Sequence, residues 1–220
     1  MKESNTSLGT WLSLYNEAIA ELLVNAGYEW VTVDLEHSAI TIAEAEKLIR
    51  VIDLAGAKPY VRVSSNDAVQ IKRVLDAGAK GIIVPMVCSP SDVANAISAI
   101  HYPPKGTRGM GLARAQGYGE SVAKENYIQN ISKEIDLYIQ LESKEALEHL
   151  DAMFSQDING YMIGPYDLSA SMGIPGDFTN PDFIAAENSI LEVAKKYDIK
   201  RGYHIVEPDL DQLNLRQSQG

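Results

Sequence analysis

Asp136-Leu137-Tyr138-Ile139-Gln140-Leu141-Glu142 is the stretch that decides how this chain folds. Its apolar centre reads as a strand covered on both faces, yet it ends on Gln140 and Glu142, two residues apart. Side chains alternate along a strand, so both point to the same side. A carboxylate at the end of a covered strand is unfavourable unless it is paired or working.

The rest of the chain repeats the pattern. Apolar runs near 9–14, 30–35, 59–63, 81–86, 136–142, 159–164 and 202–206 alternate with helical-period segments near 16–27, 41–55, 67–77, 91–100, 143–154 and 181–197. Such alternation predicts βα units and a parallel sheet. Asn16 and Thr41 are placed to cap helix N-termini, and Gly27, Gly56 and Gly78 stand where a left-handed residue would end a helix.

An open doubly wound sheet and a closed barrel both accept this order. The polar residues separate them: Asp34, Glu36 and His37 follow the second strand, Arg62 ends the third, Gln140 and Glu142 end the fifth, Gly164-Pro165-Tyr166-Asp167 follows the sixth, and His204 lies on the seventh. Five strands delivering polar groups to one rim is how a barrel builds a site; a doubly wound sheet uses one crevice. The expectation is a single (β/α)8-barrel domain over residues 1–220. After the seventh strand only a helix near 209–217 is legible, so the last βα unit is expected to be absent. That leaves two strand edges to be covered, either because the chain is shortened relative to a longer parent or because a partner subunit fills the gap.

Composition narrows the partners. Hydrophobic residues make up 45% and charged residues 22% of 220, the balance of a soluble globular chain. Nineteen Lys and Arg against 30 Asp and Glu give a formal charge of −11, which repels a phosphate backbone, so no nucleic-acid partner is expected. Neither a signal-like N-terminus nor a run of about 18 apolar residues occurs, and a cytoplasmic protein without a membrane partner is expected. The single cysteine, Cys88, leaves no internal disulfide and no cysteine metal cluster.

Glu142 and Asp167, one βα unit apart and without cysteine nearby, read as an oxygen-rich site for Mg²⁺ or Mn²⁺, with Co²⁺ admissible. They read equally as favourable acidic residues at two helix starts. His37, three residues after Asp34, reads as an imidazole oriented by that carboxylate for proton transfer, or as a hydrogen-bonded surface histidine. Arg62 between Val61 and Val63 needs an anion: Asp34, Glu36 or a substrate oxyanion. Lys58, Lys80 and Lys200 precede their strands and fall on the opposite face, and Lys144 reads as solvated, so Schiff-base chemistry is disfavoured. The Gly- and Arg-rich segment 103–119 matches no nucleotide loop and reads as a loop closing over the rim or packing on a neighbouring subunit.

Gly9-Thr10-Trp11, Asp34-Leu35-Glu36-His37, Val61-Arg62-Val63, Leu75-Asp76-Ala77-Gly78, Val84-Pro85-Met86, residues 102–109 (YPPKGTRG), Gln140-Leu141-Glu142 and Gly164-Pro165-Tyr166-Asp167-Leu168-Ser169 occur in an order and spacing that resembles the HpcH/HpaI aldolase/citrate lyase family over nearly the whole chain. The resemblance implies a barrel of the phosphoenolpyruvate/pyruvate-binding type and a class II aldolase that joins or parts pyruvate, as its enolate, and an aldehyde. Its substrates would be 4-hydroxy-2-oxo acids or 2-keto-3-deoxy sugar acids. It implies that Glu142 and Asp167 hold the metal and that Arg62 stabilises the enolate. It implies that His37, oriented by Asp34, moves protons. It puts Trp11, Gln140, Gly164, Pro165 and Tyr166 at the substrate, Tyr166 where a small residue is usual. It assigns Asp76 to a neighbouring subunit's site in a homo-oligomer, a trimer of dimers. The competing readings are an oxaloacetate decarboxylase or citrate-forming condensing enzyme of the same superfamily, and an inactive barrel kept as an assembly module.

Overall fold

The computed structural model of the chain describes residues 6–120, 134–205 and 209–219. Seven strands lie side by side in chain order, every neighbouring pair parallel: β1 (Gly9–Leu12), β2 (Trp30–Asp34), β3 (Lys58–Arg62), β4 (Gly81–Val84), β5 (Asp136–Leu141), β6 (Gly160–Ile163) and β7 (Lys200–Gly202). The sheet curls into a barrel that is open between β1 and β7, and among the described residues no strand fills that seam. The helices are α1 (Glu17–Asn25), α2 (Ile42–Ala55), α3 (Ala68–Asp76), α4 (Pro90–Ile100), α5 (Leu150–Phe154), α6 (Pro165–Ser171), α7 (Pro181–Lys196) and α8 (Leu210–Gln219).

Local sequence sets the helix ends. The Asn16 side chain accepts the Ile19 N–H, Thr41 and Glu44 form a reciprocal capping box, and Gly56 closes α2 at φ 104°.

Alternation along the strands makes two interiors. Val31, Val33, Val61, Ile82, Val84, Leu137, Ile139 and Leu141 are buried in one core with Leu48, Ile49 and Ile52 of α2 and Ile71 and Val74 of α3. Each such side chain removed from water is worth about 1.5–3 kcal/mol, and this layer holds the helices on the sheet.

The opposite faces of the same strands fill the barrel. At its floor Trp30 stacks on Tyr60 at 5.7 Å between ring centroids, and Tyr60 meets Tyr138 at 6.0 Å. Glycines make the room: a Cβ on Gly9, Gly81 or Gly160 would lie 1.9, 2.5 or 2.3 Å from the rings of Trp30, Tyr60 and Tyr138 respectively. Tyr60 donates to Asp136, which also pairs with Lys58 at 3.1 Å.

Four expectations need correction. The seventh strand pairs through Lys200–Gly202 and not through 202–206; charged residues are tolerated there because β7 is an edge strand, so its pairing does not follow the apolar run. Val206 lies outside the described residues, and His204 is beyond the strand end. The helix expected over 143–154 is broken at His149 (φ −120°, ψ 6°) into a 3₁₀ turn, Glu145–Glu148, and α5. Helix α6 was not foreseen; Pro165 starts it at the first helical position, and seven residues are too few to display a period.

The fourth concerns the segment 103–119, which does not close over this chain's own rim in its described part. Arg108 donates to Asp76 at the end of α3, Arg114 pairs with Asp53 near the end of α2, and Thr107 bonds back to Ser98. Helices that follow barrel strands run back toward the strand starts, so these contacts lie at the floor end.

Candidate active site

Charges gather at the C-terminal ends of β2, β3 and β5. Asp34 and Arg62 are register partners on adjacent strands. Arg62 grips the carboxylate with two hydrogen bonds, Nε to Oδ1 at 2.9 Å and Nη2 to Oδ2 at 2.6 Å. Asp34 Oδ1 also accepts the backbone N–H groups of Glu36 and His37. Burial alone would raise this carboxyl; Arg62 and the two amides overcome it and hold the group below the usual carboxylate range. Glu36 makes a second ion pair to Arg62, 3.2 Å from Nη1. The arginine's anion therefore proves to be both acidic residues.

That arrangement corrects the expected Asp34–His37 dyad. Asp34 is spent on Arg62 and on backbone, and the carboxylate nearest the His37 ring is Glu36, 3.8 Å from Nε2. Three residues of spacing bring the His37 amide to Asp34, while the imidazole is 65% exposed beside Glu36. Trp11 on β1 completes this side, its ring 4.7 Å from Arg62 Cζ and stacked at 5.3 Å on His204.

Across the mouth, Gln140 and Glu142 do share a side, as alternation predicts: Gln140 Nε2 donates to Glu142 Oε2 at 2.7 Å. Glu142 is buried, and Oε1 accepts the Met86 amide at 2.6 Å. Met86 holds φ at +54°, a left-handed backbone unusual for methionine, and this conformation supplies the donor. No side-chain signal in the sequence marks it, because the contribution is a backbone N–H. Gly164 leaves the opening: a Cβ there would lie 2.7 Å from Glu142 Oε2 and 3.1 Å from Gln140 Nε2. From Gly164 the chain enters α6, with Pro165, exposed Tyr166 and exposed Asp167 in its first turn.

Three carboxylates act on one another here. Burial raises Glu142, and the charges of Glu36 and Asp167 add to it against the Met86 amide and Gln140. Burial also raises Glu36 despite Arg62 and His37, with Asp34 and Asp167 contributing. Gln140 Oε1 is buried without a hydrogen-bond partner among the described residues. Among the described residues no three His, Cys, Asp or Glu side chains form a metal-ligand cluster. The donor set is two protein carboxylates facing an open mouth, which fits a hard cation that keeps water or substrate oxygens.

The lysines stand where expected: Lys58 and Lys200 begin their strands, Lys80 precedes β4, and Lys144 is exposed at the start of the 3₁₀ turn. Asp76 does not join this chain's rim. It ends α3 at the floor, bonded to Arg108 at 2.8 Å and Gln116 at 3.0 Å.

Comparison with known proteins places the geometry. The model of the HpcH/HpaI aldolase/citrate lyase family matches residues 7–216. A hydroxypyruvate/pyruvate aldolase of Sagittula stellata is 38% identical over 204 residues, 92% of this chain and 79% of that protein. A 4-hydroxy-2-oxo-heptane-1,7-dioate aldolase of Salmonella heidelberg is 38% identical over 197 residues, 88% of this chain and 74% of that one. The crystal structure of an HpcH/HpaI aldolase from Desulfitobacterium hafniense superposes with a TM-score of 0.89 at 27% identity, covering 98% of this chain and 83% of the other. With the family's model running nearly end to end and aldolases aligned across most of its length, this chain belongs to the HpcH/HpaI aldolase/citrate lyase family and is a carbon–carbon lyase of the aldolase type.

Proposed function

We propose that this aldolase is divalent-metal-dependent and of class II, joining and parting pyruvate, as its enolate, and an aldehyde, with 4-hydroxy-2-oxo acids or 2-keto-3-deoxy sugar acids as its substrates. One observation carries the reading: Glu142 is buried at an open mouth beside two further carboxylates, with hydrogen-bond donors around it but, among the described residues, no cationic side chain paired to it. Glu142 and Asp167 would hold Mg²⁺ or Mn²⁺, which supplies a Lewis acid at the keto oxygen.

The remaining work falls to the chain. Backbone N–H groups at Tyr166 and Asp167 receive the substrate carboxylate, the first donors after Pro165, which has none. Gln140 holds Glu142 in place. Arg62, fixed by Asp34 and Glu36, presents positive charge where the enolate oxygen develops. His37 stands at the mouth with Glu36 beside it and moves the proton between substrate and solvent. Its orientation comes from Glu36 in this reading, with Asp34 acting through Arg62. The protein works as a cytoplasmic homo-oligomer in which Asp76 serves a neighbouring copy.

Loss of the pyruvate methyl proton signal in D₂O tests this without a choice of aldehyde. Exchange with Mg²⁺ or Mn²⁺ that stops when the metal is chelated is the expected result. Exchange that survives chelation, or none under either condition, overturns the reading.

A further inference from the structure

His204 is a titratable side chain at the mouth that the chemistry above does not use. It follows β7 by two residues and lies against Trp11 of β1, rings 5.3 Å apart and inclined by 19°. This stack spans the seam at which β1 and β7 do not pair. The same indole carries Arg62 at 4.7 Å, so the imidazole is anchored to the wall that faces the proposed enolate. His204 nevertheless keeps an exposed surface, and among the described residues neither ring nitrogen has a hydrogen-bond partner. Packing and the nearby charge of Arg62 lower its pKa against the opposing pull of Asp34, which favours the neutral ring.

A neutral imidazole offers one donor and one acceptor, the complement of a hydroxyl group. His204 stands on the Trp11 and Arg62 side of the mouth, and the second reactant has to enter beside that wall if pyruvate occupies Glu142 and Asp167. We infer that His204 determines specificity by hydrogen-bonding a hydroxyl of the aldehyde, so that hydroxylated aldehydes condense in preference to unsubstituted aliphatic ones. The inference rests on the pyruvate-aldolase reading and deepens it.

Glyceraldehyde and propanal have the same carbon count and differ in hydroxyls. The ratio of their kcat/KM values, with pyruvate as donor, is to be measured for the parent, His204→Leu and His204→Gln. Loss of one hydrogen bond predicts that the ratio falls about tenfold in His204→Leu. His204→Gln, which keeps a donor and an acceptor, recovers most of it. An unchanged ratio in His204→Leu overturns the inference, as does an equal fall in both variants, which would mean that the ring acts by shape alone. Should the leucine variant fail to fold, the glutamine variant decides: a parent-like ratio supports the hydrogen bond, and a tenfold loss sinks it. Methyl-proton exchange in the parent separates the two readings. Exchange together with an unaltered ratio removes only the role of His204, whereas absent exchange removes the aldolase reading and this inference with it.

Discussion

At the upper ends of the strands the barrel holds Asp34, Arg62, Gln140 and Glu142; at their lower ends it holds Trp30, Tyr60 and Tyr138 set into glycine gaps. The two regions use the same strands and the same alternation, a few residues apart. The rim concentrates buried charge that is repaid only by strong pairing or by a ligand, whereas the floor is closed by rings that gain from contact alone. Damage at the rim should therefore appear first in chemistry, and damage at the floor in stability.

The largest effect is expected at Glu142. Removing a residue that only supports a metal ligand lowers affinity or activity by roughly 10–100-fold, so Glu142→Ala should lower methyl-proton exchange by more than that. Its melting temperature should hold or rise, because a buried carboxylate disfavoured by its neighbours has gone. A variant that exchanges at the parent's rate would break the contrast at once. Arg62→Ala blurs the contrast in a defined way. It removes the oxyanion partner and strands Asp34, so denaturant unfolding should show a loss of about 3–5 kcal/mol along with the lost exchange.

The floor is tested by Gly81→Ala, whose Cβ would meet the Tyr60 ring at 2.5 Å. A loss of about 1–3 kcal/mol in unfolding free energy is expected, with exchange per folded molecule retained. Alkaline pH probes the same layer more gently. Burial, with help from Asp136, pushes the Tyr138 hydroxyl up to about 12, and burial with Asp136 also raises Tyr60. In the unfolded chain a tyrosine ionises near pH 10, so the fold prefers the neutral phenol. That contribution is complete below about pH 10 and is lost as pH climbs toward the folded value. Urea midpoints should fall between about pH 10 and 12, less steeply in Tyr138→Phe. The smallest effect is expected at Lys144. Lys144→Ala should leave exchange unaltered, and borohydride with pyruvate should not inactivate the parent; inactivation would move the chemistry to an amine.

Much of this contrast is legible in the residues. Gln140 and Glu142 two apart on an apolar run announce a shared side, and the structure joins them by a hydrogen bond. The misreadings share a cause. Asp34 and His37 look like a pair because they are near in sequence, but Arg62, 28 residues away, offers the carboxylate two charged hydrogen bonds that an imidazole cannot match. Met86 enters through its backbone, which no spacing could have revealed, whereas His204 is legible as a rim residue and only its stack on Trp11 across the seam is not. Segment 103–119 reads as a lid by composition, yet Arg108 and Arg114 find their carboxylates at the other end of the barrel.

By itself the sequence determined the parallel alternation of strands and helices, the helix caps and the set of side chains that face into the barrel, because these depend on neighbours within a few residues and on the periods of helix and strand. Only the tertiary structure decided which carboxylate binds Arg62, which amide supports Glu142, where β7 pairs and what the arginines of 103–119 hold. Those choices are competitions among partners brought together from distant parts of the chain, and the winner is set by geometry that no local pattern encodes.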